Sequence, residues 1–476
     1  MNVKNYSGLK ALIVLLFLSL SISSFGDEPY NSIRIAFTDG SLLSESKVAE
    51  RKSRNPPQLP PNWSIDGFLS RVKNAGYTHV VAVFKPRYEN GKYLFQEAFE
   101  KTESFGLKLI PGFAMCSPHC LIWKEEGFSQ CYGSDNEIKN IKMNEIPPKE
   151  SNDTKTFIST PFKDPKFLEY FEIILRRIKD EFEAAKSAAN NEGRPFKFNK
   201  DIEYIYLSYD EAYNVDPKVV PTPEPDFRDS AVFTLLAGYS NNNDQNYIRN
   251  RIAAHHDSSL AFKELYARNI YDNLAKIHDV FEPNPKLIIC ADMFDPQTHG
   301  KWKFNTYLPG VKVKLYSESG SGVLDLPGLS SYEKNLVKSN LILSPWWYVQ
   351  NFYQNQPPYN ADSTFRYFTE KGYKIIFLSS FHVSKGAKIP KTESISMLNE
   401  YSSKAKKTQY NVIGSSVDYW PCSRETVDEN CRCGTLKAIK FWDTTIKGVY
   451  EQPVEYSIIE NMAQRMGFYR YNRGIK

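Results

Sequence analysis

The sequence predicts a (β/α)8 barrel, an α/β fold whose parallel strands close on themselves, here with long loop insertions. Three observations predict it. Short apolar runs alternate with longer amphipathic stretches, the signature of βα units and a parallel sheet. The apolar runs number eight. The length that remains after an N-terminal leader suits one barrel with insertions. An open doubly wound sheet is the rival for the same pattern.

Taken in order, the first strand is expected over Ser32 to Phe37. After a Pro-rich linker at Pro56 to Pro61, helical spacing runs from Ile65 to Ala75 and stops at Gly76, and His79 to Phe84 reads as the second strand. A helix from Phe95 to Phe105 stops at Gly106 before the third strand, Leu107 to Phe113. A glycine after each helix suits a left-handed C-terminal cap. An insertion from Ala114 to Thr160 precedes a long helix, Asp164 to Ala188, with Asp164 at the N-cap and Pro165 at the first helical position. Phe167, Tyr170, Phe171, Ile174 and Ile178 line one face of it.

The fourth strand is expected over Asp201 to Tyr209, followed by a second insertion, Ala212 to Asp257, the helix Ser258 to Phe281, and the fifth strand Lys286 to Ala291. Leu341 to Ser344, Lys374 to Leu378 and Asn411 to Ser416 complete the eight, with helices at Ala361 to Lys371 and Ser394 to Lys406. Trp302 to Ser339 is the stretch that fits least well, and Val311 to Tyr316 within it is an extra or alternative sixth strand.

Lys4 and Lys10, the apolar run Ala11 to Ile22 and the small residues up to Gly26 have the three-part layout of a secretory signal peptide. Residues 1–26 are therefore expected to be a leader and 27–476 a single barrel domain, periplasmic or secreted. The run is shorter than the ~20 residues a bilayer span needs, so no membrane span is expected after the leader is removed. The net charge of +5 falls by two when Lys4 and Lys10 leave with the leader. That balance, without a dense Lys/Arg stripe, excludes nucleic acid as a partner.

The seven cysteines fall in two groups, Cys116, Cys120 and Cys131, then Cys422, Cys431 and Cys433, with Cys290 alone in an apolar run. Export permits disulfides within the two groups, while Cys290 reads as a buried thiol. The segment from Cys116 to Cys120, with His119, is rich in metal ligands, but the chain has no CxxC pair. No metal and no cofactor are expected, and oligomeric state is left open.

In a barrel of this kind, chemistry belongs where strands end and βα loops begin. The fourth strand runs into Asp210-Glu211, two adjacent carboxylates at the barrel mouth. One carboxyl held protonated can protonate a leaving oxygen while its ionised neighbour stabilises positive charge on a sugar. A plain alternative is a charge pair at a helix N-terminus.

The segment Gly106 to His119, with Ile110-Pro111-Gly112 in its strand, resembles the third-strand signature of the family 20 glycoside hydrolases, and Asp210-Glu211 falls where that family carries Gly-Gly-Asp-Glu. Ile289-Cys290-Ala291-Asp292 and Ser344-Pro345-Trp346-Trp347-Tyr348 are similar to its fifth-strand and sixth-strand segments. The resemblance spans about Ile33 to Trp420. It implies hydrolysis of β-linked N-acetylhexosaminides by substrate assistance, in which the acetamido oxygen is the nucleophile.

Under that resemblance Asp210 orients the acetamido group and Glu211 is the general acid and then base. Asp292 binds a sugar hydroxyl, Trp346, Trp347, Tyr348 and Trp420 face the ring, and Arg34 either matches an arginine that holds a sugar hydroxyl or is a plain strand-start residue. His119 either orients a carboxylate or is structural, and His382, by its place after the seventh strand, is a further substrate contact. Two departures stand out: Leu207-Ser208-Tyr209 replaces the approach that contains glycines, and Phe84-Lys85-Pro86-Arg87 replaces a His-x-x-Asp pattern. They keep two alternatives open, a carbohydrate-binding barrel without turnover and a barrel hydrolase of another glycoside specificity.

Overall fold

A computed structural model describes residues 32–53, 59, 63–84, 94–113, 165–207, 258–291, 294–296, 307–308, 311–312, 316–317, 321–348, 361–380, 404, 407 and 409–419. The first strand, β1 (Ile33–Asp39), is followed by a 3-10 turn and helix α1 (Glu45–Ser53), then α2 (Ile65–Asn74) and β2 (His79–Phe84). Next come α3 (Phe95–Ser104), β3 (Lys108–Phe113), α4 (Pro165–Asn191), β4 (Tyr204–Leu207), α5 (Ser258–Val280) and β5 (Lys286–Cys290). A short hairpin, β6 (Tyr307–Leu308) and β7 (Val311–Lys312), precedes α6 (Ser331–Asn340), β8 (Leu341–Ser344), β9 (Trp346–Tyr348), α7 (Ala361–Glu370), β10 (Lys374–Ser380) and β11 (Val412–Tyr419).

The main sheet runs β11-β1-β2-β3-β4-β5-β8-β10, and β11 also pairs with β10, so the sheet closes into an eight-strand parallel barrel. The (β/α)8 fold is established and the open sheet is excluded. Among the described residues of the extra-strand stretch, Val311–Lys312 is extended and pairs antiparallel with β6 in a separate two-stranded sheet. The sixth barrel strand is β8.

Local chemistry accounts for the helices. Ser64 caps α2, its hydroxyl accepting from the Gly67 amide at 3.0 Å. Gly76 and Gly106 end the α2 and α3 segments at φ of 91° and 66°, a backbone region where a Cβ is costly. Ser330 and Glu333 form a reciprocal capping box on α6, and Arg268 of α5 pairs with the Glu333 carboxylate. Those hydrogen bonds, from Arg268 and from the Ser330 amide, hold Glu333 down to about 2. Helices α3, α4, α5 and α6 pack in succession around the outside.

The barrel interior is one cluster drawn from all eight strands, including Ile33, Ile35, Phe37, Val81, Ile110, Tyr204, Tyr206, Ile288, Ile342, Ile376 and Ile413. In barrels of this class alternate strands supply successive layers. The registers Tyr204 with Lys286, Ile288 with Ile342, and Ile35 with His79 resolve them here. Ile35, Ile110, Ile288 and Ile376 form the central layer. Beneath it lie His79, Tyr204, Ile342 and Ile413, and above it Val81, Tyr206, Ser344 and Ser416.

Candidate functional site

The mouth of the barrel is where the carboxyl ends of the strands converge. Its described base is set by Phe37, Val83, Tyr206 and Cys290, all buried, with the Phe37 and Tyr206 rings edge to face at a 4.9 Å centroid separation. Gly112 of β3 lies in this region, and a Cβ there would stand 3.0 Å from a Val83 methyl carbon and 3.2 Å from the Ala82 carbonyl oxygen. A glycine is what lets β3 and β2 approach so closely at the rim. Two serine hydroxyls lie just below: Ser344 is buried, and the buried Ser416 Oγ has no hydrogen-bond partner.

Strand β4 ends at Leu207, which registers with Phe113 of β3 and Ile289 of β5. Asp210 and Glu211 follow it by three and four residues and lie outside the described residues. Asp292 also lies outside them, but its flanks are fixed. The Ala291 amide donates to the Ser344 carbonyl at 3.1 Å, and the Phe294 amide donates to the Ala291 carbonyl at 2.9 Å. Asp295, fully buried, accepts from the Thr364 hydroxyl of α7 at 2.7 Å. The sequence reading passed over this acid, although an aspartate directly before a proline at the end of an apolar strand is a loop-fixing signal.

Trp346, Trp347 and Tyr348 form β9, whose backbone registers with Leu378, Ser379 and Ser380 at the carboxyl end of β10. The segment is therefore brought to the mouth as a strand. His119, His382 and Trp420 lie outside the described residues; Trp420 directly follows the last residue of β11, and His382 comes two residues after β10. Two acids that the sequence reading did not select, Asp39 and Asp418, stand at the carboxyl ends of β1 and β11, and Asp418 registers with Phe37.

Arg34 belongs to the other pole. Its amide donates to the Thr78 hydroxyl at 2.9 Å and its guanidinium Nε donates to the Gly76 carbonyl, so it ties the start of β1 to the α2–β2 turn. Beside it is His79, buried, with Nδ1 2.7 Å from the Thr78 hydroxyl. Burial above all, then the nearby Lys108 and Arg34 charges, lowers His79 to about 3, so it is neutral at ordinary pH.

Cys290 is fully buried and its sulfur is outside any disulfide, while the other six cysteines lie outside the described residues. Among the described residues no group of His, Cys, Asp and Glu side chains is arranged to hold a metal ion. No helix among them is long and apolar enough to cross a membrane, and the leader residues 1–26 lie outside them. A cavity of about 410 Å³ lies between α4 and α5, lined by Glu172, Arg176, Arg177 and Asp279 among others. It is on the outer wall, away from the strand ends.

No family model matches the chain, and no curated protein matches it. Among solved structures it is similar to a glucosidase from Croceicoccus marinus, at 10% identity over 93% of this chain and 68% of that one, with a TM-score of 0.37. It is also similar to an intracellular xylanase from Thermoanaerobacterium saccharolyticum, at 10% identity over 83% and 89% of the two chains, with a TM-score of 0.34. A D-psicose 3-epimerase from Clostridium cellulolyticum H10 aligns at 12% identity over 86% and 94%, with a TM-score of 0.30. At such low identities and scores no activity and no residue role is taken from these proteins.

Proposed function

We propose that this chain is an exported glycoside hydrolase that acts on β-linked N-acetylhexosaminides by substrate-assisted acid/base catalysis. The observation that carries the reading is where β4 stops: at Leu207, level with the carboxyl ends of its neighbours and four residues before Glu211. Four residues of chain reach at most ~14 Å, and this short reach supports a place for both carboxylates near the mouth. Glu211 protonates the leaving oxygen and then takes a proton from the attacking water. Asp210 holds the acetamido group, whose oxygen attacks the anomeric carbon. Asp292 serves a sugar hydroxyl, His119 orients a carboxylate, His382 is a further substrate contact, and Trp346, Trp347, Tyr348 and Trp420 serve the ring, apolar faces being suited to stacking on aromatics.

Aryl glycosides with and without a 2-acetamido group test the substrate class directly. Glu211→Gln should lower turnover by roughly 10²–10⁴-fold on poor leaving groups and by much less on good ones, which depart without protonation. Asp210→Asn should impair every acetamido substrate whatever the leaving group. Wild-type turnover by Glu211→Gln on a poor leaving group would remove the acid role.

A second reading has one observation in its favour, the tyrosine at position 209 where a glycine would leave space. Under it the barrel binds sugars without turnover. Glycan binding that depends on Asp210 and Trp346, in a protein that hydrolyses no glycoside, would decide for that reading.

A further inference from the structure

The top layer of the barrel core is filled unevenly. Its members are Val81 on β2, Tyr206 on β4, Ser344 on β8 and Ser416 on β11, all buried. Ser344 registers with Cys290 and Ser416 with Ile35, and because both partners belong to the interior cluster, both serines stand on the inner face. Side chains from alternate strands close the cross-section of such a barrel layer by layer, and the layer directly below does so with Ile35, Ile110, Ile288 and Ile376. Tyr206 fills its share of the top layer and packs edge to face on Phe37. The two serines are successive members of that layer and leave their half of the cross-section short. Cys290, next above Ser344, is itself small.

A second observation points to an occupant. Ser416 is 2% exposed, and its Oγ has no hydrogen-bond partner among the described residues. A buried hydroxyl in that condition forfeits the bonds it makes in water, so such groups are ordinarily matched by protein, solvent or ligand. Ser344, as deeply buried, brings a second hydroxyl to the same side. The surroundings narrow the choice of occupant. The layer holds no charged side chain and the isoleucines beneath it are apolar, so a charged occupant would be stripped of water without a counter-charge. What fits is a short neutral arm: a methylene against Val81 and the isoleucines, ended by a hydroxyl that donates to one serine and accepts from the other.

We propose that this side of the barrel, directly under the mouth, is a subsite for the hydroxymethyl arm of a sugar, with Ser344 and Ser416 as its hydrogen-bonding groups. A sugar ring is too wide for a gap left by two serines, but a hydroxymethyl group is not. The ring stays at the mouth, above Phe37 and Cys290, and the arm points down the barrel. Pentosides lack the arm, leave Ser416 unmatched and bind less well, as a site built to hold a hydroxyl discriminates against its absence. The subsite rests on the carbohydrate reading of the mouth, but on neither turnover nor an acetamido group.

Calorimetric titration of the full chain tests it with two pairs of sugars that differ at the hydroxymethyl group: methyl β-glucoside against methyl β-xyloside, and N-acetylglucosamine against its 6-deoxy form. In at least one pair the member with the hydroxyl should bind about tenfold more tightly, the worth of one or two buried hydrogen bonds. S416A should cut that preference to about twofold or less, with a Tm equal to or above wild type, because the hydroxyl it removes has no partner to lose. S344A should cut the preference likewise. A preference confined to the glucoside pair upholds the subsite and counts against the acetamido specificity proposed above, so the two can fail separately. Three results overturn the proposal: no saturable binding of any of the four sugars, equal binding within both pairs, which would mean that the serines hold only water, or a preference that S416A retains. Should S416A not fold, S344A decides in its place.

Discussion

Replacing His79 with phenylalanine should remove a specific part of the acid sensitivity of this protein. The His79 imidazole is buried in the barrel, against Tyr204 and near Arg34 and Lys108, and burial first and these charges second lower it from 6.5 to about 3. The unfolded chain therefore takes up a proton at His79 below about pH 6.5 that the folded chain refuses until about pH 3. Stability is unaffected by this group above that window and falls as pH drops through it, by about 1.4 kcal/mol per unit. Between pH 7 and pH 5 the loss from His79 alone comes to about 2 kcal/mol by the same linkage. His79→Phe keeps a ring against Tyr204, forfeits the Thr78 hydrogen bond, and cannot titrate. Urea unfolding of both proteins at pH 7 and pH 5, in chloride, isolates the term, because the other titrating groups contribute equally to both. Wild type should lose about 2 kcal/mol more than His79→Phe over that interval. Equal losses would mean that His79 takes up its proton in the folded barrel as readily as in the unfolded chain.

Three more outcomes follow from the geometry. Gly414→Ala would bring a Cβ within 2.3 Å of the Ile33 carbonyl oxygen, so β11 and β1 must separate; a cost of about 3 kcal/mol in denaturant unfolding is expected, or loss of the folded protein. The Glu103 carboxylate accepts from the backbone amides of Lys197, Phe198 and Asn199, and although burial raises its pKa, these bonds and the Asn199 side chain hold it below the usual range. Glu103→Ala should cost about 2 kcal/mol at neutral pH and less in acid, since stability from a depressed carboxylate is lost as pH falls. Cys290 should resist thiol reagents in the folded state and react once denatured, and mass mapping of the non-reduced protein should find it outside any disulfide.

How far the sequence revealed the fold depended on which residues carry the strands. His79–Phe84 and Leu341–Ser344, apolar throughout or nearly so, have the bounds that their hydrophobic runs indicate. Strands β1, β10 and β11 instead run past their expected ends, to Asp39, Ser380 and Tyr419. Their last residues, Thr38-Asp39, Ser379-Ser380 and Val417-Asp418-Tyr419, are largely polar because they approach the mouth rather than the core. A hydrophobic run therefore understates strand length at the functional end, which is why Asp39 and Asp418 escaped notice. Strand β4 errs the other way: Asp201 to Glu203 precede it, and pairing starts at Tyr204. Helix α6 was missed because it buries only Val337, although its Ser330–Glu333 capping box was legible. Of the expected helix from Ser394 to Lys406, only Lys404 falls among the described residues. The strand ends themselves were legible, but Asp210 and Glu211 lie beyond β4 and outside the described residues, and Arg34 shows how a strand-start arginine can serve a turn instead.

The two poles of the barrel bear on one another only weakly, and the reason is distance. Five residues separate Lys108 from Phe113, a rise of roughly 15 Å along the strand. At an effective dielectric constant of about 20, two unit charges that far apart interact by about 1 kcal/mol, before solvent screening reduces it. A charge such as Lys108 at the start of a strand thus acts only weakly on the proposed pair Asp210 and Glu211. The bias is too small to set either group's protonation, for which shifts of several units come from burial and near neighbours. Under the proposed mechanism the protonation of Glu211 is therefore set by its own burial and near neighbours. Lys108→Met, at the start of β3, should therefore leave glycoside turnover unchanged under the proposed mechanism, and a change in turnover would mean that the mouth itself had been disturbed.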